Sequence, residues 1–319
     1  MSSTDLIDVF VSNIIHETAD IATFELRRRD GADLPAFSAG AHIDVHLSNG
    51  AVRAYSICNP QQQRDRYVVA VADSANSRGG SSFMHRSIAV GDALTVGAPR
   101  NNFPLVEDAS HSVFIAGGIG ITPIFCMVQR LEQLARSWEL IYCSRTPPQT
   151  AFLQQLSGPP FAGKVRFNFD GEPGGAMLDI AGLVAKIPAT AHIYCCGPQP
   201  MLDAFEHATA ARSPVTAHLE RFSAKDAPAT SGGYTVKLAR SGKEVQVTEG
   251  KTILDALLEI KVLAPYSCLE GTCGECLTRV LSGIPDHRDV FLSKDEQDAN
   301  DQMTICCSGS KSACLVLDL

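Results

Sequence analysis

Long apolar runs are missing from this chain, and so is any excess of positive charge. The most apolar stretch, Val113 to Val128, is broken by Gly117, Gly118, Gly120 and Pro123. It is shorter than the roughly 20 residues a bilayer helix needs and reads as strand, loop and helix, so no membrane partner is expected. Lys and Arg number 27 against 35 Asp and Glu, a net charge of −8, which argues against nucleic acid or an anionic membrane as a partner. Met1 to Phe10 carries Asp5 and Asp8 and lacks the basic flank of a secretory leader. Eleven cysteines, an odd number, then point to a reducing compartment, and the expected location is the cytoplasm. Internal repeats and low-complexity tracts are also lacking. At 319 residues, 45% of them apolar, the chain has material for two or three ordinary domains.

What is present is a cysteine pattern. Cys268, Cys273 and Cys276 fall at C-x4-C-x2-C, and Cys306 follows thirty residues on. This is the plant-type spacing for four thiolates around a [2Fe–2S] cluster. The two glycines in the run let one loop wrap the cluster and offer it backbone N–H groups, while Cys306 closes the cage from another segment. A zinc site is the rival, although zinc usually takes two C-x2-C knuckles and one is present here. Cys58, Cys126, Cys143, Cys195, Cys307 and Cys314 read as small buried thiols.

Three segments follow along the chain. From Asp5 to about Pro104, period-two runs (Asp8–Ser12, Ile43–Leu47, Tyr67–Val71, Ala93–Val96) predict a small closed antiparallel barrel. Arg53–Ser56 and Ser77–Met84 interrupt that pattern, the second as a glycine turn opening a short helix. From about Ser110 to Phe222, strands at Val113–Ala116, Leu140–Cys143, Val165–Asn168 and His192–Cys195 alternate with helices, the signature of a parallel sheet covered on both faces. The helix from Pro123 to Leu134 is expected to use Thr122 as N-cap and Pro123 at its first position. Ser223 to Gly233 has linker composition. Beyond it, Tyr234–Leu238 and Glu244–Val247 predict a hairpin across Ser241-Gly242, and Thr252 with Asp255 a capping box for a helix over 253–260. Hairpin, helix and cysteine loop fit a β-grasp ferredoxin domain.

Two glycine-rich turns stand at the ends of predicted strands in the middle segment. Gly117-Gly-Ile-Gly-Ile-Thr-Pro123 opens a helix whose free N–H groups suit a pyrophosphate. Cys196-Gly-Pro-Gln-Pro-Met201 lies at another carboxyl end and would face the same crevice. In the first segment, Arg53 can grip a phosphate, Tyr55 can stack on a planar ring, and Ser56 can hydrogen-bond a ring nitrogen. Ser81 and Ser82 behind Gly79-Gly80 add an anion site at a helix start.

Taken in order, these motifs resemble the phthalate dioxygenase reductase family over essentially the whole chain. The resemblance implies a multidomain fold: an antiparallel β-barrel flavin domain over 1–105, an α/β parallel-sheet NAD-binding domain over 106–225, a linker at 226–232, and a C-terminal β-grasp ferredoxin domain over 233–319. It implies that Arg53, with Gly79, Gly80, Ser81 and Ser82, holds the flavin phosphate. Ala54, Tyr55, Ser56, Ala70, Val71, Ala72 and Thr122 would line the flavin, with Ser56 near its reactive nitrogen N5. Gly117, Gly118, Gly120, Pro123, Cys196, Gly197, Pro198 and Met201 would cradle NADH. Glu220-Arg-Phe222 matches the family's closing acid-x-aromatic, with Phe222 against the flavin ring. Ser56, Thr122, Cys196, Glu220 and Phe222 are thus the expected catalytic group. Ser144 and Arg145 sit where NADP enzymes bind the 2′-phosphate, but NADH is the expected donor. A C-terminal ferredoxin domain favours FMN over FAD. The implied activity is electron transfer from NADH through FMN and the [2Fe–2S] cluster to a terminal Rieske oxygenase, by a monomer. Asp286 to Asp301, rich in acids, reads either as a solvated face or as the surface that steers the oxygenase.

Overall fold

The computed structural model describes residues 6–73, 79–223 and 226–319, and the chain divides into two units, Met1–Glu220 and Arg221–Leu319. The first unit opens with β1 (Ile7–His16), β2 (Ile21–Arg27), β3 (His42–His46), β4 (Val52–Ser56), β5 (Tyr67–Ala72), α1 (Gly80–Ser87) and β6 (Ala93–Val96). These six strands pair antiparallel in the order β4-β3-β6-β1-β2-β5. The two ends of the sheet meet where Ile57 bridges Val69 and the Cys58 N–H donates to Val68 O at 2.8 Å, so the barrel closes. Closure removes both sheet edges and encloses a core of Phe24, Leu26, Ile43, Val45, Val69 and Val96.

Two expectations change here. Arg53–Ser56 is no interruption; it is β4 itself, paired residue for residue with β3. β2 escaped the alternating pattern because its first four residues are all buried, which erases the polar half of the period. Of the expected turn at Ser77–Met84, Ser77 and Arg78 lie outside the described residues, and the helix begins at Gly80.

The same unit continues with β7 (Ser112–Gly117), α2 (Ile121–Gln133), β8 (Trp138–Ser144), α3 (Leu153–Ser157), β9 (Val165–Phe169), α4 (Ile180–Val184), β10 (His192–Cys196), α5 (Gln199–Thr209) and β11 (Ala217–Glu220). All five strands are parallel, in the order β11-β10-β7-β8-β9. One sheet face shares the barrel's core through Phe114, Tyr142 and Tyr194, and the other buries Ile115, Ile141 and Ile193 against Leu202 and Phe205 of α5. The expected cap of α2 is corrected. Its N-cap is Gly120, because a 3-10 turn over Gly118–Gly120 runs straight into the helix and starts it at Ile121. Thr122 and Pro123 therefore lie inside the first turn, and the Thr122 hydroxyl donates to Ile119 O at 3.0 Å.

The second unit holds β12 (Tyr234–Leu238), β13 (Glu244–Val247), α6 (Ile253–Glu259), β14 (Leu277–Ser282), β15 (Pro285–Asp286), α7 (Lys294–Ala299), β16 (Gln302–Thr304), β17 (Gly309–Ser310) and β18 (Cys314–Leu317). Its main sheet runs β13-β12-β18-β14-β16, with β12 and β18 parallel and the other neighbours antiparallel. The expected hairpin and the Thr252–Asp255 capping box are both present. α6 buries Ile253, Leu254, Ala256 and Leu257 against the sheet, leaving the 268–276 loop at its border. Among the described residues no helix is long and apolar enough to cross a membrane.

Candidate functional site

β4 lines up Arg53, Ala54, Tyr55 and Ser56, with Tyr55 opposite Ile43 and Ser56 opposite His42 on β3. Arg53 folds over the start of α1: a Cβ built on Gly80 would lie 2.5 Å from its Cγ and 2.6 Å from its Nε. Gly79, at φ +88, makes the left-handed turn that opens this helix. The Arg53 Nη1 donates to Val52 O at 2.8 Å, and a guanidinium beside a helix N-terminus is an arrangement that can hold a dianion. Ser81 is partly buried there, and the Ser82 hydroxyl donates to Asp73 Oδ1 at 3.0 Å. The Tyr55 hydroxyl is shut from solvent with no hydrogen-bond partner among the described residues, and burial pushes the phenol up to about 12. An orphaned buried hydroxyl beside an aromatic face fits a planar, heteroatom-rich ligand such as a flavin. Ala70 and Val71 on β5 are buried, Ala72 is partly exposed, and Ser56 and Thr122 are buried.

The two glycine turns of the parallel sheet touch. A Cβ on Gly117 would come within 2.6 Å of Pro198 Cδ and 2.9 Å of Met201 Cε, and one on Gly120 would collide with the Cys196 carbonyl. Gly197 likewise leaves only 2.7 Å to Met201 Sδ. The structure thus brings Gly117, Gly120, Cys196, Gly197, Pro198 and Met201 together at the carboxyl ends of β7 and β10, where open α/β sheets bind ligands, with Gly118 in the adjoining 3-10 turn and Pro123 in the first turn of α2. Cys196 pairs in register with Glu220 of β11. Glu220 Oε2 is closed off without a partner among the described residues although part of the residue meets solvent, and burial raises its carboxyl to about 8. The Cys196 thiol is pushed up as well, by burial first and by Glu220 second.

Ser144 and Arg145 stand at the end of β8. The Ser144 hydroxyl is tied to Thr150 Oγ1 at 2.6 Å. Arg145, three-quarters exposed, has its Nη1 3.7 Å from Asp170 Oδ1, just beyond β9. Asp170 was not among the residues the sequence singled out. An acid followed by Gly171 at the carboxyl end of a predicted strand was the available signal. Phe222 opens the second unit with an exposed ring.

In the second unit the four expected cysteines converge. Cys268, Cys276 and Cys306 are buried and Cys273 is partly so. Cys268 Sγ accepts the backbone N–H groups of Glu270 (3.3 Å) and Thr272 (3.5 Å). Hydrogen bonds from Cys273 and then from Cys306 hold the Cys268 thiol far below the usual range, and Cys306 in turn reaches Cys276. The Cys306 thiol interacts with its neighbour Cys307 as well, so the four expected thiols and that neighbour influence one another electrostatically. Among the described residues no three His, Cys, Asp or Glu side chains close around a single ion. A [2Fe–2S] cluster instead spreads two thiolate pairs over two irons, and four soft donors on a glycine-bent loop suit it.

Much of the acidic segment nearby is committed internally. Asp286 pairs with Arg288 at 2.8 Å, Asp298 with Lys294 at 2.5 Å, Glu296 caps α7 from within, and the Asp289 side chain is buried.

The family profile described as "2Fe-2S iron-sulfur cluster binding domain" matches residues 236–311. The chain is 50% identical to the phenoxybenzoate dioxygenase subunit beta of Ectopseudomonas oleovorans, over 97% of both chains. It is 47% identical to tetrachlorobenzoquinone reductase of Sphingobium chlorophenolicum, over 98% of both. Phthalate dioxygenase reductase of Burkholderia cepacia is 41% identical over 94% of this chain and 93% of its own. A solved phthalate dioxygenase reductase, described as modular for electron transfer from pyridine nucleotides to [2Fe–2S], superposes with a TM-score of 0.81 at 38% identity, covering 99% of this chain and 98% of that one. Barrel, parallel sheet, converging cysteines and these relatives agree: the chain belongs to the phthalate dioxygenase reductase family.

Proposed function

We propose that this chain, an NADH-dependent oxidoreductase using FMN and a [2Fe–2S] cluster, passes electrons singly to a terminal Rieske oxygenase acting on an aromatic or similar small substrate. The observation that carries the reading is the gathering of Cys268, Cys273, Cys276 and Cys306, with two backbone N–H groups already on the Cys268 sulfur, in a unit separate from the one holding both phosphate-type cradles. We read the chain as a cytoplasmic monomer divided as the motifs suggest, at 1–105, 106–225 and 233–319.

When bound, the flavin accepts a hydride and the cluster carries one electron at a time, which is the conversion NADH oxidation requires. Arg53 and the α1 N-terminus would fix the FMN phosphate, and Tyr55 would cover its ring system. Gly117, Gly120 and Gly197 let the two turns pack against each other, because a Cβ at any of them would strike its neighbours, and the N-terminus of α2 would offer backbone N–H groups to the NADH pyrophosphate. Cys196 and a protonated Glu220 would line the nicotinamide end, offering an uncharged donor at neutral pH rather than a carboxylate. Positioning of this kind, not covalent chemistry, is the protein's main contribution. Cys268, Cys273, Cys276 and Cys306 would hold the cluster as thiolates, with the N–H groups of Glu270 and Thr272 stabilising charge on sulfur.

Visible and EPR spectra of the purified protein, before and after anaerobic NADH, test this reading. Flavin bleaching followed by a rhombic [2Fe–2S] signal is expected, and a colourless protein with bound zinc would contradict it. The quinone reductase relative favours a second reading, direct reduction of a small quinone at the flavin. Quinone turnover that survives loss of the cluster would support it.

A further inference from the structure

Asp289 sits where three segments of the second unit meet, and its side chain is fully buried. Its Oδ2 accepts the Leu292 N–H at 2.8 Å, and its Oδ1 accepts the Ser308 hydroxyl at 3.2 Å. The buried His287 ring stands near, with Nδ1 3.6 Å from Oδ1. Ser308 in turn takes the Arg288 N–H at 3.1 Å and donates its own N–H to Thr304 O at 3.0 Å, so it locks the turn that carries Cys306. On the other side, the Val290 N–H donates to Gly271 O at 3.1 Å, in the loop between Cys268 and Cys273. Gly271, at φ +65, is pressed so closely here that a Cβ would lie 2.9 Å from Asp289 Cα and 2.5 Å from Cys307 Sγ. The Gln297 amide of α7 also donates to Asp289 O, at 3.2 Å.

We infer that Asp289, acting through Ser308, is the positioning residue that sets Cys306 against the three-cysteine loop. This rests on the reading of Cys268, Cys273, Cys276 and Cys306 as cluster ligands. The two halves of that ligand set come from segments thirty residues apart; the pairing of β14 with β16 stops at Thr304, and beyond it a single long backbone bond, Ile305 N–H to Cys276 O at 3.4 Å, joins them. The buried carboxylate holds the Leu292 N–H of its own turn and the Ser308 hydroxyl of the Cys306 turn at once, while the Val290 N–H ties the Asp289 turn to Gly271 in the three-cysteine loop. A methyl group cannot hold either donor, and an amide would present a donor to one of the two donors. Such outer contacts orient ligands and typically alter metal retention 10- to 100-fold.

The test uses the full chain with its cofactors, in Ser308→Ala, Asp289→Ala and Asp289→Asn forms. Cluster absorbance is followed under a chelator, with EPR of the reduced cluster and melting of the cluster-free protein measured alongside. Ser308→Ala should lose the cluster about tenfold faster than wild type and shift its g-values, a change larger than the modest lowering of the cluster-free protein's melting temperature accounts for. Asp289→Ala should lose it faster still, and Asp289→Asn should fall between. Wild-type retention and g-values in Ser308→Ala would overturn the inference, and so would faster loss that merely tracks a lower melting temperature. Ser308→Ala decides the matter if Asp289→Ala does not fold. Cys306→Ser is the separate control: a native cluster in that variant would mean the ligand reading failed, whatever Asp289 does.

Discussion

Cys196 and Glu220 are register partners on neighbouring parallel strands, a buried thiol beside a carboxyl oxygen that has no hydrogen-bond partner among the described residues. Burial lifts Glu220 from its ordinary 4.5 to about 8. The folded state therefore keeps a proton that the unfolded chain gives up. The resulting stability is fully present below pH 4.5 and is lost as pH rises through 8, by an amount on the order of 2–4 kcal/mol. Glu220→Gln should remove that loss. Melting curves of both forms from pH 5 to 8.5 check it: the variant should gain on wild type toward the alkaline end.

His218 bears on the opposite flank of the pH range. It stacks between Tyr194 (4.4 Å) and His192 (5.2 Å), and His192 Nδ1 lies 2.9 Å from its Nε2. Burial, then the neighbouring His192, pushes its pKa down to about 4. A histidine kept neutral in the fold contributes nothing above pH 6.5, but folding loses ground as pH falls from 6.5 to 4, because only the unfolded chain takes up the proton. His218→Phe, which keeps a ring in the stack, should flatten the acid side of the stability profile. An unchanged profile would place the acid sensitivity elsewhere.

Arg145 is exposed and faces the carboxylate of Asp170. A 2′-phosphate approaching this arginine would also meet the acid, which is a reason for NADH to be preferred. Asp170→Asn should raise kcat/KM for NADPH roughly tenfold, the size of one charge interaction near a surface, with little change for NADH. Arg145→Ala should lower it. Steady-state kinetics with both nucleotides decide the point.

Removing Arg53 takes away one of the two components that meet at Gly80. Arg53→Ala should weaken flavin retention by roughly 2–5 kcal/mol, since a phosphate loses its charge-assisted partner. Fluorescence of flavin released on dilution measures this, and chromatography of the released cofactor should show FMN.

The sequence made the cluster loop and both glycine turns legible because each depends on spacing or on a missing Cβ within a few residues. It was less informative where meaning comes from distant partners. Asp170 matters because of Arg145, twenty-five residues earlier, and Asp289 because of Ser308, nineteen residues later. β2 lost its alternating pattern to burial on both sides, and β4 was hidden by the functional residues it carries. Thr122 looked like a helix cap because the 3-10 turn before it leaves no trace in the residue pattern. The acidic segment read as a single exposed face, either solvated or docking, yet Asp289 is buried, Glu296 is a cap, and Asp286 and Asp298 are paired.

The modular path from NADH to cluster is tested most directly by Cys273→Ser, assayed two ways on the same preparation. NADH-dependent ferricyanide reduction should persist near the wild-type rate, because it needs only the first unit. NADH-dependent reduction of a one-electron protein acceptor should collapse with the EPR signal. Equal loss of both activities would contradict the account.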